Sequence, residues 1–330
     1  GAPPKFTPPA KLPERIPRNS GTHYVNQDAH LEERYPFKPL FSALEKTKPD
    51  YDMKDVDIVA DTGTFLTLLG FLDGQTEEDI RIELHLVENT LVLTSREQYT
   101  SVNIDPKRGS LRPYEHSFPK HCSEFPEKEN GAHTHHRAVR YTLGGLNFIV
   151  KYQPHAFCEG GDYVTEGTSV GSNESAQAGT HSRNVSNGSA STTASLPSSK
   201  RIKAPCYAEL TARFEGNKFK EEPIDTPYHF PRMYFGRIPT IIVGTYRDGS
   251  FSSIQAFDSK RMLSEWEVER QEDLRKLVRL LRDWRDATEQ AGGKAVALCD
   301  AQFWPLKFEV YKMQSPRGVL EEAMVNKFWK

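Results

Sequence analysis

Tyr141 to Phe157, YTLGGLNFIVKYQPHAF, is the stretch on which the fold turns, and it is read together with Ala208-Glu209-Leu210-Thr211-Ala212-Arg213 farther along the chain. Leu146, Phe148 and Val150 alternate with Asn147, Ile149 and Lys151, the period-two pattern of a β-strand with one buried face. Gln153 and His155 follow two residues apart, so an extended chain projects them to the same side. Tyr207 to Phe214 reads as a second core strand.

Gly144-Gly145-Leu146-x-Phe148-Ile149-Val150, then a polar pair, a Gly/Ser/Thr-rich insert and Glu209-Leu210-x-x-Arg213, resembles the core of a fungal branch of the PD-(D/E)XK nuclease-like superfamily. Members of that branch are often mislabelled as geranylgeranyl pyrophosphate synthetases. The likeness runs collinearly through Pro36 to Leu72, His135-His136-Arg137, the two strands, a helix from about Ser264 and Gly292-Gly293-Lys294-Ala295-Val296. The family pattern is His-Glu-x-Asp at the first strand end and Glu-apolar-Lys on the next strand. The resemblance places Tyr152, Gln153 and His155 at the first motif, and Glu209 and Thr211 at the second.

Two or three carboxylates gather a hard divalent cation in such a site, and a lysine steadies the attacking water or the developing charge. Gln153 is a neutral amide, Thr211 carries no charge, and Glu209 alone holds a hydrated Mg²⁺ poorly. Gln153, His155 and Thr211 read most simply as ordinary strand-end surface residues. The resemblance therefore implies a pseudonuclease with no expected catalytic residue, metal or cofactor. Its role would be that of a nucleic-acid-binding or protein-adaptor subunit in an RNA-processing or chromatin-associated assembly. The alternative is an active metal-dependent nuclease acting on RNA ends, with Mg²⁺ or Mn²⁺ held by Glu209 and by Glu159, Asp162 or His155.

Lys and Arg number 43 against 45 Asp and Glu, a net charge of −2, so the chain as a whole is no strongly basic nucleic-acid binder. A protein partner is expected, with weak RNA or DNA binding. Cys122, Cys158, Cys206 and Cys299 show no Cys-x-x-Cys spacing, which argues against structural zinc and a disulfide scaffold. No apolar run of about 18 residues and no signal peptide occurs, so no membrane association is expected. The expected location is intracellular, nuclear or mitochondrial.

Residues 1–35 carry Pro3, Pro4, Pro8, Pro9, Pro13 and Pro17 and read as an extended arm without a packed core, most simply a flexible terminus, with docking on the domain or on a partner as the alternative. Leu40, Phe41 and Leu44 share a helical face, Asp55 to Val59 is a short strand, and Phe65 to Leu72 a second helix. Asp61-Thr62-Gly63 matches the aspartic-protease triplet, but that chemistry needs two aspartates and no second copy occurs. Asp61 is read instead as a helix N-cap. Ile80 to Leu93 forms a hairpin turning at Glu88-Asn89. Between Arg108 and His136 the pattern is irregular; His133, His135 and His136 could gather a metal, but adjacent His135 and His136 point to opposite sides of an extended chain, so they read first as polar or core-satisfied histidines.

The segment at about 159–203 is too poor in large apolar residues to fold and is expected to be a disordered insert between two strands. Its sequons at Asn173, Asn184 and Asn187 have no secretory context. Arg213, His229, Arg232, Tyr234 and Arg237 interleave aromatic and cationic groups, a composition suited to stacking bases, contacting phosphates or forming a protein hot spot. Leu274, Leu277, Val278, Leu281 and Trp284 form the apolar face of the strongest helix. Gly292-Gly293 ends it, strands at Ala295–Leu298 and Phe308–Tyr311 follow, and Gly318 to Lys330 reads as a short amphipathic helix. The fold expected is α/β or α+β: a central mixed β-sheet flanked by helices, forming one nuclease-like domain over residues 36–330.

Overall fold

The structure, a computed structural model, describes residues 2–24, 35–76, 78–96, 101–108, 110–127, 135–160, 165–166, 205–216, 226–314 and 318–329. Asp162, His133, the three sequon asparagines and nearly all of the expected disordered insert lie outside them.

The N-terminal segment contributes β1 (Lys5–Phe6), β2 (Glu14–Arg15) and β3 (Gly21–Tyr24). Helix α1 (Lys38–Thr47) leads to β4 (Ile58–Asp61), α2 (Thr62–Leu72), β5 (Ile80–Val87), β6 (Thr90–Ser95) and β7 (Ser101–Ile104). Short helix α3 (Ser117–His121) and β8 (Ser123–Glu124) precede β9 (Arg137–Leu143), β10 (Leu146–Tyr152), β11 (Ala156–Cys158), β12 (Thr165–Glu166) and β13 (Cys206–Phe214). Then come α4 (Thr226–Gly236), β14 (Thr240–Arg247), β15 (Ser250–Asp258), α5 (Lys260–Glu269), α6 (Gln271–Gln290), β16 (Lys294–Cys299), β17 (Glu309–Lys312) and α7 (Glu322–Phe328).

The class is mixed α/β, with most strands in two large sheets and β3 paired with β7 in a separate two-stranded one. One runs β17-β16-β5-β6-β4-β10-β9; the other runs β12-β15-β14-β13-β11-β1-β8, with β2 on β15. The Gly144 and Tyr207 strands, β10 and β13, therefore belong to different sheets, a correction to the expectation of one central sheet. The chain leaves the first sheet at Tyr152 and joins the second at Ala156, crossing through Gln153-Pro154-His155. Pro154 has no N–H to give a ladder, which favours a break there.

β10 is buried on both faces, although its alternation suggested one. Leu146, Phe148 and Val150 enter the largest core with Leu68 of α2, Phe235 of α4 and Leu277 and Leu281 of α6. Ile149 faces a separate core under α1 and α7, with Phe41, Phe328 and Trp329. The C-terminal aromatic pair is thus spent within the domain, and the Trp329 indole donates to Thr90 Oγ1 at 2.8 Å. The five apolar residues singled out on α6 are all buried.

Local signals are realised closely. Asp61 caps α2, its Oδ1 accepting from Thr64 N at 2.8 Å. Gly144 and Gly145 turn the β9–β10 hairpin at φ +57° and +80°, and a Cβ on Gly144 would lie 2.8 Å from Val278 of α6. Only glycine lets this turn press so closely on the helix.

The Pro-rich N-terminal segment departs from the flexible arm expected of it. β1 pairs with both β8 and β11, while Phe6 and Ile16 are buried in a third core with Tyr114, Phe118 and Phe251. Prolines forbid a regular helix, yet they leave short edge pairings and single apolar anchors available. Asn19 fixes the segment further: its side chain donates to Arg112 O and accepts from His116 N and Ser117 N.

Candidate functional site

Glu209 lies on β13 between Ala208 and Leu210, which enter the third core, so the strand period turns the carboxylate to the opposite face. There it meets α4, on which His229 and Arg232 stand three residues apart and share one side of the helix. Glu209 is fully buried. His229 Nδ1 lies 3.3 Å from Oε1, and Arg232 Nε lies 3.9 Å from the same oxygen. The first is a hydrogen bond; the second is too long for one and acts through charge.

His155 closes the other side. Its backbone N–H donates to Ala208 O at 3.2 Å, and its Nδ1 accepts from Leu210 N at 3.0 Å. The neutral ring therefore carries its proton on Nε2. Nδ1 also stands 3.5 Å from Glu209 Oε2, but with its lone pair already committed it gives that oxygen no proton. Burial lowers the His155 imidazole against the pull of Glu209, in keeping with a neutral ring. Burial by itself would raise the Glu209 carboxyl. The positive charge that His155 carries once protonated in acid, the hydrogen bond from His229 and the charge of Arg232 outweigh it and hold Glu209 at about 2. The reading of His155 as a strand-end surface residue is corrected: the crossover from β10 to β11 folds its ring in against β13.

A cavity of about 380 Å³ opens beside this cluster, lined by His155, Gln153, Glu115, His116, His23 and Lys120 among others. His23 and His116 stack with ring centroids 4.3 Å apart. Burial and the neighbouring His23 push the His116 imidazole down, with Glu115 opposing. Glu115 accepts from the Tyr228 hydroxyl, and the Tyr228 ring carries Arg112 at 3.7 Å and Arg232 at 5.5 Å. Polar groups from the N-terminal segment, the segment before α3 and the β10–β11 crossover thus meet in one hollow.

The residues singled out from sequence divide into groups. Gln153 lines the cavity, and Thr211 stands two residues along β13 from Glu209, half-buried. Tyr152 is in the core. Glu159 is exposed and pairs with Lys5 at 2.7 Å. His229 and Arg232 are drawn inward to Glu209 rather than presented to a ligand. Arg213 donates to Thr245 Oγ1 at 3.3 Å. Arg237 stacks between the rings of Tyr141 at 4.0 Å and Tyr234 at 4.6 Å, and the buried Tyr234 donates its hydroxyl to Glu267. His23, Glu115, His116 and Tyr228 were missed. Their sequence neighbourhoods are irregular, and only the tertiary path of the N-terminal segment brings the first three together.

Two mixed sheets are joined at a strand crossover, with a buried glutamate on the strand beyond it, a mixed α/β fold of the nuclease-like kind shared with the Rai1 structures. The chain belongs to the family described as Domain of unknown function (DUF8563), whose profile matches residues 1–329. S. pombe Rai1 in complex with 3'-FADP superposes with a TM-score of 0.52 at 10% identity, over 94% of this chain and 86% of that one. Scheffersomyces stipitis Rai1 gives 0.50 at 10% identity, over 98% and 89%. No curated protein matches the chain.

A divalent cation of the kind used by metal-dependent nucleases needs several oxygen ligands at one point. The described residues do not fit one: among them Glu209 is the one carboxylate within ion-pair distance of His155, His229 and Arg232, and it faces an arginine and a histidine. Among the described residues, no group of three or more His, Cys, Asp or Glu is arranged to hold a metal ion. No described helix is long and apolar enough to cross a membrane.

Proposed function

We propose that this protein is a nuclease-like scaffold without catalytic chemistry that binds RNA as a subunit of an RNA-processing assembly inside the cell. The observation that carries this reading is the inversion of charge around Glu209. By the sequence resemblance, neutral Gln153, neutral His155 and uncharged Thr211 stand where the family pattern has acids and lysine. Arg232 then neutralises the one acid that remains, while His229 hydrogen-bonds it. A site built this way offsets the charge of its carboxylate while leaving Oε2 without a hydrogen-bond donor, and among the described residues no second acid stands beside it to collect Mg²⁺ or Mn²⁺.

The cavity beside it supports the binding half of the proposal. Its size lies within the range of small-ligand sites, and imidazoles, an amide and a lysine line it. Such groups suit a phosphate and a sugar, and the paired His23 and His116 rings offer a flat face to a base. The nucleotide bound by S. pombe Rai1, 3'-FADP, is a ligand of this chemical kind.

Purified protein incubated with labelled RNA and DNA, single- and double-stranded, in Mg²⁺ or Mn²⁺ tests the first half. The substrates are expected to remain intact. Cleavage that is lost in Glu209→Ala would overturn the assignment and restore the metal-dependent nuclease.

A further inference from the structure

Cys158 of β11 and Cys206 of β13 are direct cross-strand partners in an antiparallel ladder. Directly opposed residues in such a ladder have Cα atoms about 4.5 or 5.5 Å apart, according to which kind of pair they form. Both separations fall inside the roughly 4.4–6.8 Å that a disulfide spans.

Their surroundings are unequal. Cys158 is fully buried, and Cys206, half-buried at the head of its strand, has its Sγ 3.2 Å from Thr240 Oγ1. The hydrogen bond from Cys158, helped by the Thr240 hydroxyl and the charge of Lys260, outweighs burial and brings the Cys206 thiol down to about 6. The Cys158 thiol is pushed up. Cys122 is buried, with its thiol raised by burial to about 12, and burial raises that of Cys299 as well. An accessible thiolate next to a buried thiol is the arrangement of an attacking and a resolving cysteine.

We propose that Cys206 and Cys158 form a thiol–disulfide exchange site that reacts with small disulfides such as oxidised glutathione. The Cys206 thiolate attacks one sulfur of the glutathione disulfide, forming a mixed disulfide and expelling one glutathione thiolate. Cys158 passes its proton to that leaving thiolate and attacks the Cys206 sulfur. The Cys158–Cys206 bond forms and the second glutathione departs, taking up a proton from solvent. The protein loses two electrons and one glutathione disulfide becomes two thiols; the proton that Cys206 released to solvent on ionising balances the second uptake. The bond would tie β11 to β13 next to His155 and Glu209.

The full-length protein, fully reduced, would be treated with oxidised glutathione at neutral pH, then alkylated and peptide-mapped without reduction. A Cys158–Cys206 link is expected, with Cys122 and Cys299 alkylated. Cys158→Ala should instead accumulate a single glutathionyl adduct on Cys206, and Cys206→Ser should give neither product. The cross-linked wild type should melt at least about 5 °C above the reduced protein, since the bond closes a long loop. A stable glutathionyl adduct in the wild type, a link involving Cys122 or Cys299, or a disulfide between two copies of the chain would each overturn the proposal. The wild-type map is decisive by itself even where a variant folds poorly.

Discussion

Arg232 holds its Nε 3.9 Å from Oε1 of Glu209, and the carboxylate it faces is fully buried. A cation therefore stands beside the acid that the family pattern would place next to a metal. Removing one member of a buried charge pair strands the other at a cost of about 3–5 kcal/mol, and less here because the Arg232 side chain is 28% exposed and makes no hydrogen bond to the acid. Glu209→Gln should thus lower the melting temperature by several degrees, and Glu209→Gln with Arg232→Met should recover much of the loss. Thermal denaturation of wild type, Glu209→Gln, Arg232→Met and the double variant checks this; a double variant no better than the sum of the singles would show that the two residues are uncoupled.

Acid sensitivity follows from the same pair. The Glu209 carboxyl, ordinarily near 4.5, is held at about 2 in the folded protein. Its folded value is depressed, so its contribution to stability is fully present above about pH 4.5 and is lost as pH falls toward 2. Urea denaturation at a series of pH values should show Glu209→Gln with a shallower fall than wild type across that window. Parallel curves would refute the assignment.

Gly144 and Gly145 should differ in what they tolerate. Both have positive φ, and an alanine in the left-handed region costs on the order of 1–2 kcal/mol. A Cβ on Gly144 would also strike Val278 at 2.8 Å, whereas one on Gly145 meets only Arg282 at 3.6 Å. Gly144→Ala should therefore be the more destabilising by about 1–3 kcal/mol, the usual range for overpacking. Val278→Ala in the Gly144→Ala background should return part of the difference, measured by equilibrium unfolding.

What could be read in advance was what the chain encodes locally. The alternation in β10, the apolar stripe of α6, the Glu88-Asn89 turn and the Asp61 cap each rest on residues close in sequence, and each is found in place. The division into two sheets rests on pairings between distant segments, such as β1 with β8 and β11, for which a period-two pattern names no partner. Alternation likewise marks one apolar face of β10 and cannot announce that α1 and α7 cover the other. Glu209, His155, His229 and Arg232 were all singled out, yet as a lost site and a separate binding surface. Their meeting depends on how α4 lies across β13. The stacking of His23 on His116 had no sequence signal, because it depends on the route of a proline-rich segment that composition alone marks as free.

The remaining prediction separates binding from stability. Sequence reading assigned nucleic-acid contacts to Arg232 and Arg237, but the first is committed to Glu209 and the second lies between two tyrosine rings. Arginines so occupied hold the fold together, and replacing them should lower the melting temperature more than RNA affinity. Lys120 is exposed at the cavity rim, and His23 lines the hollow with its Nε2 donating to Ser20 O at 3.1 Å. If an RNA phosphate sits there, Lys120→Ala should weaken binding uniformly across sequences and reduce the slope of log affinity against log salt by about 1. His23→Ala should remove the stacking face, at roughly 1–3 kcal/mol if a base occupies it. Fluorescence anisotropy with short 5'-phosphorylated RNA, titrated at several low salt concentrations, measures both effects. A net charge of −2 keeps the expected wild-type affinity modest. Affinity lost in Arg237→Ala at unchanged melting temperature, with Lys120→Ala behaving as wild type, would move the RNA site away from the cavity and onto the aromatic–arginine stack.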